Sequence, residues 1–241
     1  MSLRPLRFGG LLILALSFAG GPALAGSFSV SPVRLTLTAA EPIAALTVRN
    51  SGGEPAVIQL EVASWIQEEG SDRYQPSRDL IASPPIFTVP PGGSQIVRLA
   101  LRRAPEARQE LTYRVYLAEV PSAPSPGFTG TRVALELGVP VFVSPIAGGV
   151  PSLHWQLARR PDGKVSILAR NSGALSARIT SISLSSAAGA NTSRQTIATD
   201  VHAGQQREWP LNDKQLSAAG TSLRLNARTE RGDVEADVVM P

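Results

Sequence analysis

Catalytic chemistry finds little to work with in this chain. His154 and His202 are its two histidines. Neither has an Asp, Glu or His cluster at metal-ligand spacing, and both read as ordinary surface or strand residues. There is no cysteine, no Gly-x-Ser-x-Gly elbow, no Ser-x-x-Lys and no glycine-rich phosphate loop with a lysine. The chain is therefore expected not to be an enzyme, and it calls for no metal and no cofactor. Residues 131–143, Thr-Arg-Val-Ala-Leu-Glu-Leu-Gly-Val-Pro-Val-Phe-Val, carry chemistry of another kind. A branched aliphatic occupies every odd position from Val133 to Val143, with Arg132, Glu136, Gly138 and Pro140 among the even ones. That spacing predicts a long strand with one apolar face.

Pro140 removes one ladder donor, which fits a sheet edge or a bulge better than a central strand. Long apolar edges are normally avoided because they recruit other chains. One explanation is that this edge exists to be paired with a partner, which makes the protein a strand-donating binder. The plainer alternative is that the same side chains fill this protein's own core.

The elements that position this strand belong to an exported chain. Arg4 and Arg7 precede the apolar run Leu11 to Phe18 and a small-residue exit, Ala23-Leu24-Ala25, the pattern of a secretory signal peptide cut before Gly26. The run falls short of the roughly 20 residues that a bilayer core requires, and no later segment is expected to insert in a membrane. With no cysteine, the exported fold must rest on ordinary cores. The formal charge is +4, from 23 basic and 19 acidic residues, and two of the basic ones lie in the leader. No block of five or six like charges occurs, so nucleic-acid binding is not expected.

After the leader the chain reads as all-β. Alternating runs occur at 28–37, 44–49, 56–66, 86–89, 95–101, 111–120 and 132–143, punctuated by Asn50-Ser51-Gly52-Gly53 and Pro90-Pro91-Gly92-Gly93. Seven short strands suit a two-sheet sandwich. Ser144-Pro145-Ile146-Ala147-Gly148-Gly149 then breaks the alternation as an interdomain linker. Further strands are predicted at 152–158, 164–170, 177–184, 195–198, 205–211, 222–229 and 233–239. The expected organisation is a signal peptide at 1–25, one domain at 26–145 and a second β-sandwich at 146–241. An internal match supports two domains: Leu46-Thr47-Val48-Arg49-Asn50-Ser51-Gly52 reappears as Ile167-Leu168-Ala169-Arg170-Asn171-Ser172-Gly173.

Several segments carry a family resemblance: Val30-Ser31-Pro32-Val33-Arg34, the stretch from Pro90 to Leu99, Tyr113 to Pro121, and the long strand after it. Together with the cysteine-free pair of sandwiches, they resemble the periplasmic chaperones of the chaperone-usher pathway. The match is strong over 26–145 and rests on strand spacing beyond it. The resemblance implies two immunoglobulin-like β-sandwich domains in a boomerang arrangement, located in the periplasm. Its partners would be pilus or fimbrial subunits lacking their final strand, and an outer-membrane usher. The seventh predicted strand would fill the subunit's gap without any nucleotide, with Val133, Leu135, Leu137 and Val139 as the inserted side chains. The loop Ser122 to Gly130 is too rich in Pro, Gly and Ser to order itself and leaves the strand's start able to extend on binding.

The family also holds the subunit's C-terminal carboxylate with an arginine on the first strand and a lysine on the seventh. The arginine falls on Arg34, which alternates away from Val33, Leu35 and Leu37. The lysine position is Pro140, a departure that points to the archaic or alternative branches. Arg114, on the preceding strand, is the substitute candidate. Glu119 matches a glutamate of the family's interdomain charge network, whose arginine partner aligns with Ser144. The alternative function is a structural or adhesive subunit of a surface fibre. Such a subunit needs a donor segment ahead of its first strand, and here that strand follows the predicted cleavage site closely.

Overall fold

The computed structural model describes residues 28–121, 133–186, 191–211 and 220–241, which form strands and turns. The predicted leader and the loop 122–130 lie outside the described residues. No helix among the described residues is long and apolar enough to cross a membrane.

The first sandwich holds β1 (Phe28–Ser31), β2 (Leu35–Leu37), β3 (Ile43–Asn50), β4 (Ala56–Glu68), β5 (Ser71–Pro76), β6 (Leu80–Ser83), β7 (Ile86–Val89), β8 (Ser94–Leu101), β9 (Leu111–Glu119) and β10 (Glu136–Val143). One sheet runs β1-β3-β8-β6; the other runs β2-β10-β9-β4-β5, with β7 also on β4. Their facing residues, among them Leu37, Val48, Ile58, Leu99, Leu117 and Val141, form one apolar core. Each fully buried Leu, Ile or Val contributes roughly 1.5–3 kcal/mol.

The second sandwich holds β11 (Leu153–Arg159), β12 (Val165–Asn171), β13 (Ala177–Ser186), β14 (Asn191–Val201), β15 (Gln206–Pro210), β16 (Ser222–Thr229) and β17 (Gly232–Val239). Its sheets run β11-β12-β15 and β14-β13-β16-β17 around Ile167, Ile179, Leu184, Leu223 and Leu225. The alternation of apolar residues is what the sequence predicts, and the architecture is two immunoglobulin-like β-sandwiches.

Three departures have physical causes. The predicted strand 28–37 is two strands. β1 pairs with β3 in one sheet, the chain bends through Pro32 and Val33, and β2 pairs in parallel with β10 in the other sheet. Val33, expected in the core, is consequently 75% exposed. β5 and β6 were not expected, because polar Ser71–Pro76 shows no alternation and Leu80–Ser83 is short; both are edge strands. Of the long strand predicted from residue 132, the described part begins at Val133 and is regular from Glu136.

β10 carries the apolar row singled out in the sequence. Along its whole length it pairs with β9, whereas β2 covers only Val141, Phe142 and Val143 on its other side. Among the described residues no other strand flanks 136–140, which present a bare edge, and Pro140 is the last residue before β2 joins. A missing ladder donor is tolerated at such a place.

Candidate functional site

The odd-numbered row of β10 passes from solvent into the core. Val133 is 61% exposed, Leu135 and Leu137 are half-buried against the core, and Val139 is 3% exposed. In this form Val139 fills the chain's own sandwich, while the three residues before it offer apolar surface along the bare edge. Glu119 holds the approach to this edge: its N–H donates to the Leu135 carbonyl at 2.9 Å, and its Oε2 accepts from the Leu135 N–H at 3.3 Å. Glu119 thus stands at the far end of β9 from the second sandwich, which meets the first near Glu110 and Thr112. The interdomain role expected of it falls to other residues.

Between the sandwiches lies a cavity of about 280 Å³, whose lining includes Arg34, Phe142, Ser144, Pro151, Arg178 and Glu230. The bend before β2 aims Arg34 into it. Its guanidinium lies 3.9 Å from the centre of the Phe142 ring, and its Nη1 is 3.5 Å from Asp200 Oδ1 and 3.3 Å from Glu230 Oε2. Phe142 meets Trp65 edge-on at 6.1 Å. Arg114 lies over Trp65 at 4.5 Å and Tyr74 at 5.2 Å, and its buried Nε has no hydrogen-bond partner among the described residues. A guanidinium on aromatic faces is held by the ring quadrupole. The last two predicted strands of the first domain pair, and Arg114 is directly opposite Pro140 in the ladder. A Cβ on Gly138 would come within 3.0 Å of Arg114 Cδ, so this glycine leaves room for the arginine's stem. Arg34 and Arg114 thus flank one aromatic strip without sharing a carboxylate.

The interdomain contact was the part least visible in the sequence. Gln67 spans it, donating to the Asp200 carbonyl at 2.8 Å and accepting from the His202 N–H at 3.0 Å. Arg207 grips Asp72 through two bonds of 3.0 and 2.9 Å. Burial alone raises the Asp72 carboxyl, but its bonds from Arg207, Trp65 and Gln67 prevail and hold it below the usual range. Asp200 is bonded by Arg178 at 2.9 Å, and burial nevertheless pushes its carboxyl up. One signal existed: on β4 the buried positions switch from Ile58 and Leu60 to Ala63, Trp65 and Gln67, so the end of this strand is covered on its second face.

His202, expected at the surface or in a strand, is 4% exposed and packs edge-on against Trp65 at 4.3 Å. The Thr112 hydroxyl donates to the Trp65 carbonyl, so toward His202 Nδ1, 3.3 Å away, it is an acceptor. That assigns the ring proton to Nδ1 and leaves Nε2 buried with no partner among the described residues. Burial depresses the imidazole to about 4, with Arg207, Arg114 and Arg34 adding to the effect and Asp72 opposing it.

Two comparisons agree with this architecture. A chain of the chaperone–tip adhesion subunit complex CsuC–CsuE, from the archaic Csu pili of Acinetobacter baumannii, is 18% identical; the match covers 88% of this chain and 98% of that one, with a TM-score of 0.67. A chain of the Salmonella enterica SafA pilin–SafB chaperone complex is 16% identical over 89% and 97%, at 0.61. The Escherichia coli chaperone DraB is 16% identical over 90% and 97%, at 0.60. At these identities the likeness is one of fold. No curated protein matches the sequence. The family described as pili and flagellar-assembly chaperone, PapD N-terminal domain, matches residues 27–148, and the chain belongs to that family.

Proposed function

We propose that this protein is an ATP-independent periplasmic chaperone. It holds pilus or fimbrial subunits by donor-strand complementation and passes them to an outer-membrane usher. Residues 1–25 direct export, 26–145 form the subunit-holding domain, and 146–241 form the sandwich that closes the cleft. The observation that carries this reading is the bare edge of β10, where Val133, Leu135 and Leu137 precede a residue, Val139, already committed to the core. An extended subunit strand adds along residues 136–140 through main-chain bonds, and the apolar row enters the gap in the subunit's sandwich. Val139 ends that row. Two or three such side chains, each contributing roughly 1.5–3 kcal/mol when buried, suffice to hold an incomplete fold without nucleotide. Arg34, against Phe142 in the cleft, is the cation that receives the subunit's C-terminal carboxylate, and Arg114, stacked on Trp65, adds positive charge behind the aromatic strip. The relatives whose structures contain a tip adhesion subunit or a pilin support the choice of partner.

The test is periplasmic co-expression with the neighbouring secreted genes, followed by intact mass of what co-purifies. The expected result is a one-to-one complex with a small β-rich subunit that disappears with Leu135→Arg while the variant remains folded. Recovery of the chain alone, or as a ladder of self-polymers, would move the assignment to a fibre subunit.

A further inference from the structure

Two arginines from different sandwiches already share carboxylates in the cleft. Arg34 precedes β2, and Arg178 lies on β13. Asp200 is 3.5 Å from Arg34 Nη1 and 2.9 Å from Arg178 Nη1, and Glu230 is 3.3 Å from Arg34 Nη1 and 3.6 Å from Arg178 Nε. The two carboxylates differ in depth: the Asp200 side chain is 3% exposed, that of Glu230 47%. Glu230 sits in the turn between β16 and β17, anchored by its N–H on the Arg178 carbonyl. Its carboxylate therefore stands at the mouth of the cavity between two guanidiniums, the place a ligand carboxylate would take.

The geometry points to Arg178 as the second cation for an incoming carboxylate, with Glu230 as its displaceable intramolecular stand-in. This rests on the reading of the cleft as the seat of a subunit's C-terminal carboxylate, and names the partner that Pro140 cannot supply. Arg114 is engaged with the faces of Trp65 and Tyr74, whereas Arg178 already meets the same carboxylates as Arg34. Charge decides the order of events. Around Arg34 and Arg178 stand three carboxylates, Asp200, Glu230 and Glu110; on the rim Asp233 is paired by Arg228 at 3.4 Å, and Arg231 adds one further positive charge. A further anion enters without adding net negative charge to the cleft only if one carboxylate leaves. Asp200 is buried, and Glu110 accepts the Ser176 N–H at 2.8 Å. Glu230, half exposed on a hairpin turn, swings into water; Asp200 stays and keeps both guanidiniums aligned.

The experiment uses synthetic peptides with the C-terminal sequence of the subunit that co-purifies with the wild type, as free acid and as C-terminal amide. Fluorescence anisotropy against the full processed chain gives the acid-to-amide affinity ratio, which general damage to the fold does not move. Arg178→Ala is expected to lower this ratio about tenfold or more. Arg178→Lys should restore part of it. Glu230→Gln should tighten free-acid binding roughly two- to fivefold and leave the amide unchanged. An unchanged ratio in Arg178→Ala, or no tightening in Glu230→Gln, would overturn the inference. Failure of the underlying reading looks different: the wild type itself would bind acid and amide equally.

Discussion

The two sandwiches share a buried asparagine lock and use the turn beside it differently. In the first, Asn50 donates to the carbonyls of Glu54 and Val89 at 2.7 and 3.0 Å and accepts the Gly52 N–H at 2.8 Å. In the second, Asn171 donates to Leu175 and Val201 at 2.8 and 2.9 Å and accepts the Gly173 N–H at 3.0 Å. The correspondence continues into the neighbouring turns, where the Gly93 N–H donates to the Pro90 carbonyl and the Gln205 N–H to the His202 carbonyl. Pro90 and Pro91 lie in solvent, whereas His202 and Ala203 are buried against the first sandwich. The same local device thus closes a strand end in one sandwich and docks the domains together in the other. A turn whose backbone is fixed from inside leaves its outer residues available for a second task.

Removing the lock is the strongest way to break this comparison. Asn171→Ala deletes bonds to two buried carbonyls, to the Gly173 N–H and to the Ser152 N–H, and should cost about 4 kcal/mol by urea unfolding. Asn50→Ala, with one bond fewer, should cost about 3 kcal/mol. Equal tolerance of both changes would mean that the repeat is only a turn sequence.

Acid sharpens the contrast between the turns. His202 is held near 4, below the ordinary 6.5, so between these values the unfolded chain binds a proton that the folded chain does not. Stability should therefore fall as pH drops from 6.5 toward 4, by about 3 kcal/mol in total. His202→Gln should flatten that window. Pro90→His, which places an imidazole in the exposed counterpart turn, should add no such dependence. Asp72 acts in a lower window: its carboxyl is depressed, so its contribution is present above its ordinary value of 3.8 and is lost only below it. The smallest effect is expected from Arg207→Ala, about 1–2 kcal/mol, because the Asp72–Arg207 pair is only partly buried; it should loosen interdomain contact, seen as faster amide exchange at His202.

Much of the fold was legible because alternation over β3, β8, β9, β12 and β16 reports burial within a single strand. The Asn-Ser-Gly repeat was legible for the same reason, since its bonds reach the following turn. What could not be read depends on partners distant in the chain. Gln67 meets residues 133 and 135 positions away, and Arg34 meets Asp200 and Glu230 at 166 and 196. His202 looked ordinary because nothing local marks it for burial. Val33 was misjudged because the alternation was extended across Pro32, where the chain changes sheets. The apolar row of β10 was visible from strand parity, and a place for Arg114 beside that strand followed from pairing order, while its register opposite Pro140 came only from the structure.

The most direct test of the account is hydrogen exchange across residues 133–140, in the isolated chain and in its co-purified complex. The account predicts that amides on the side of β10 facing away from β9 exchange readily in isolation and become protected in the complex, while Val141, Phe142 and Val143, already flanked by β2, change little. A complex that forms with no added protection along 133–140 would contradict strand donation.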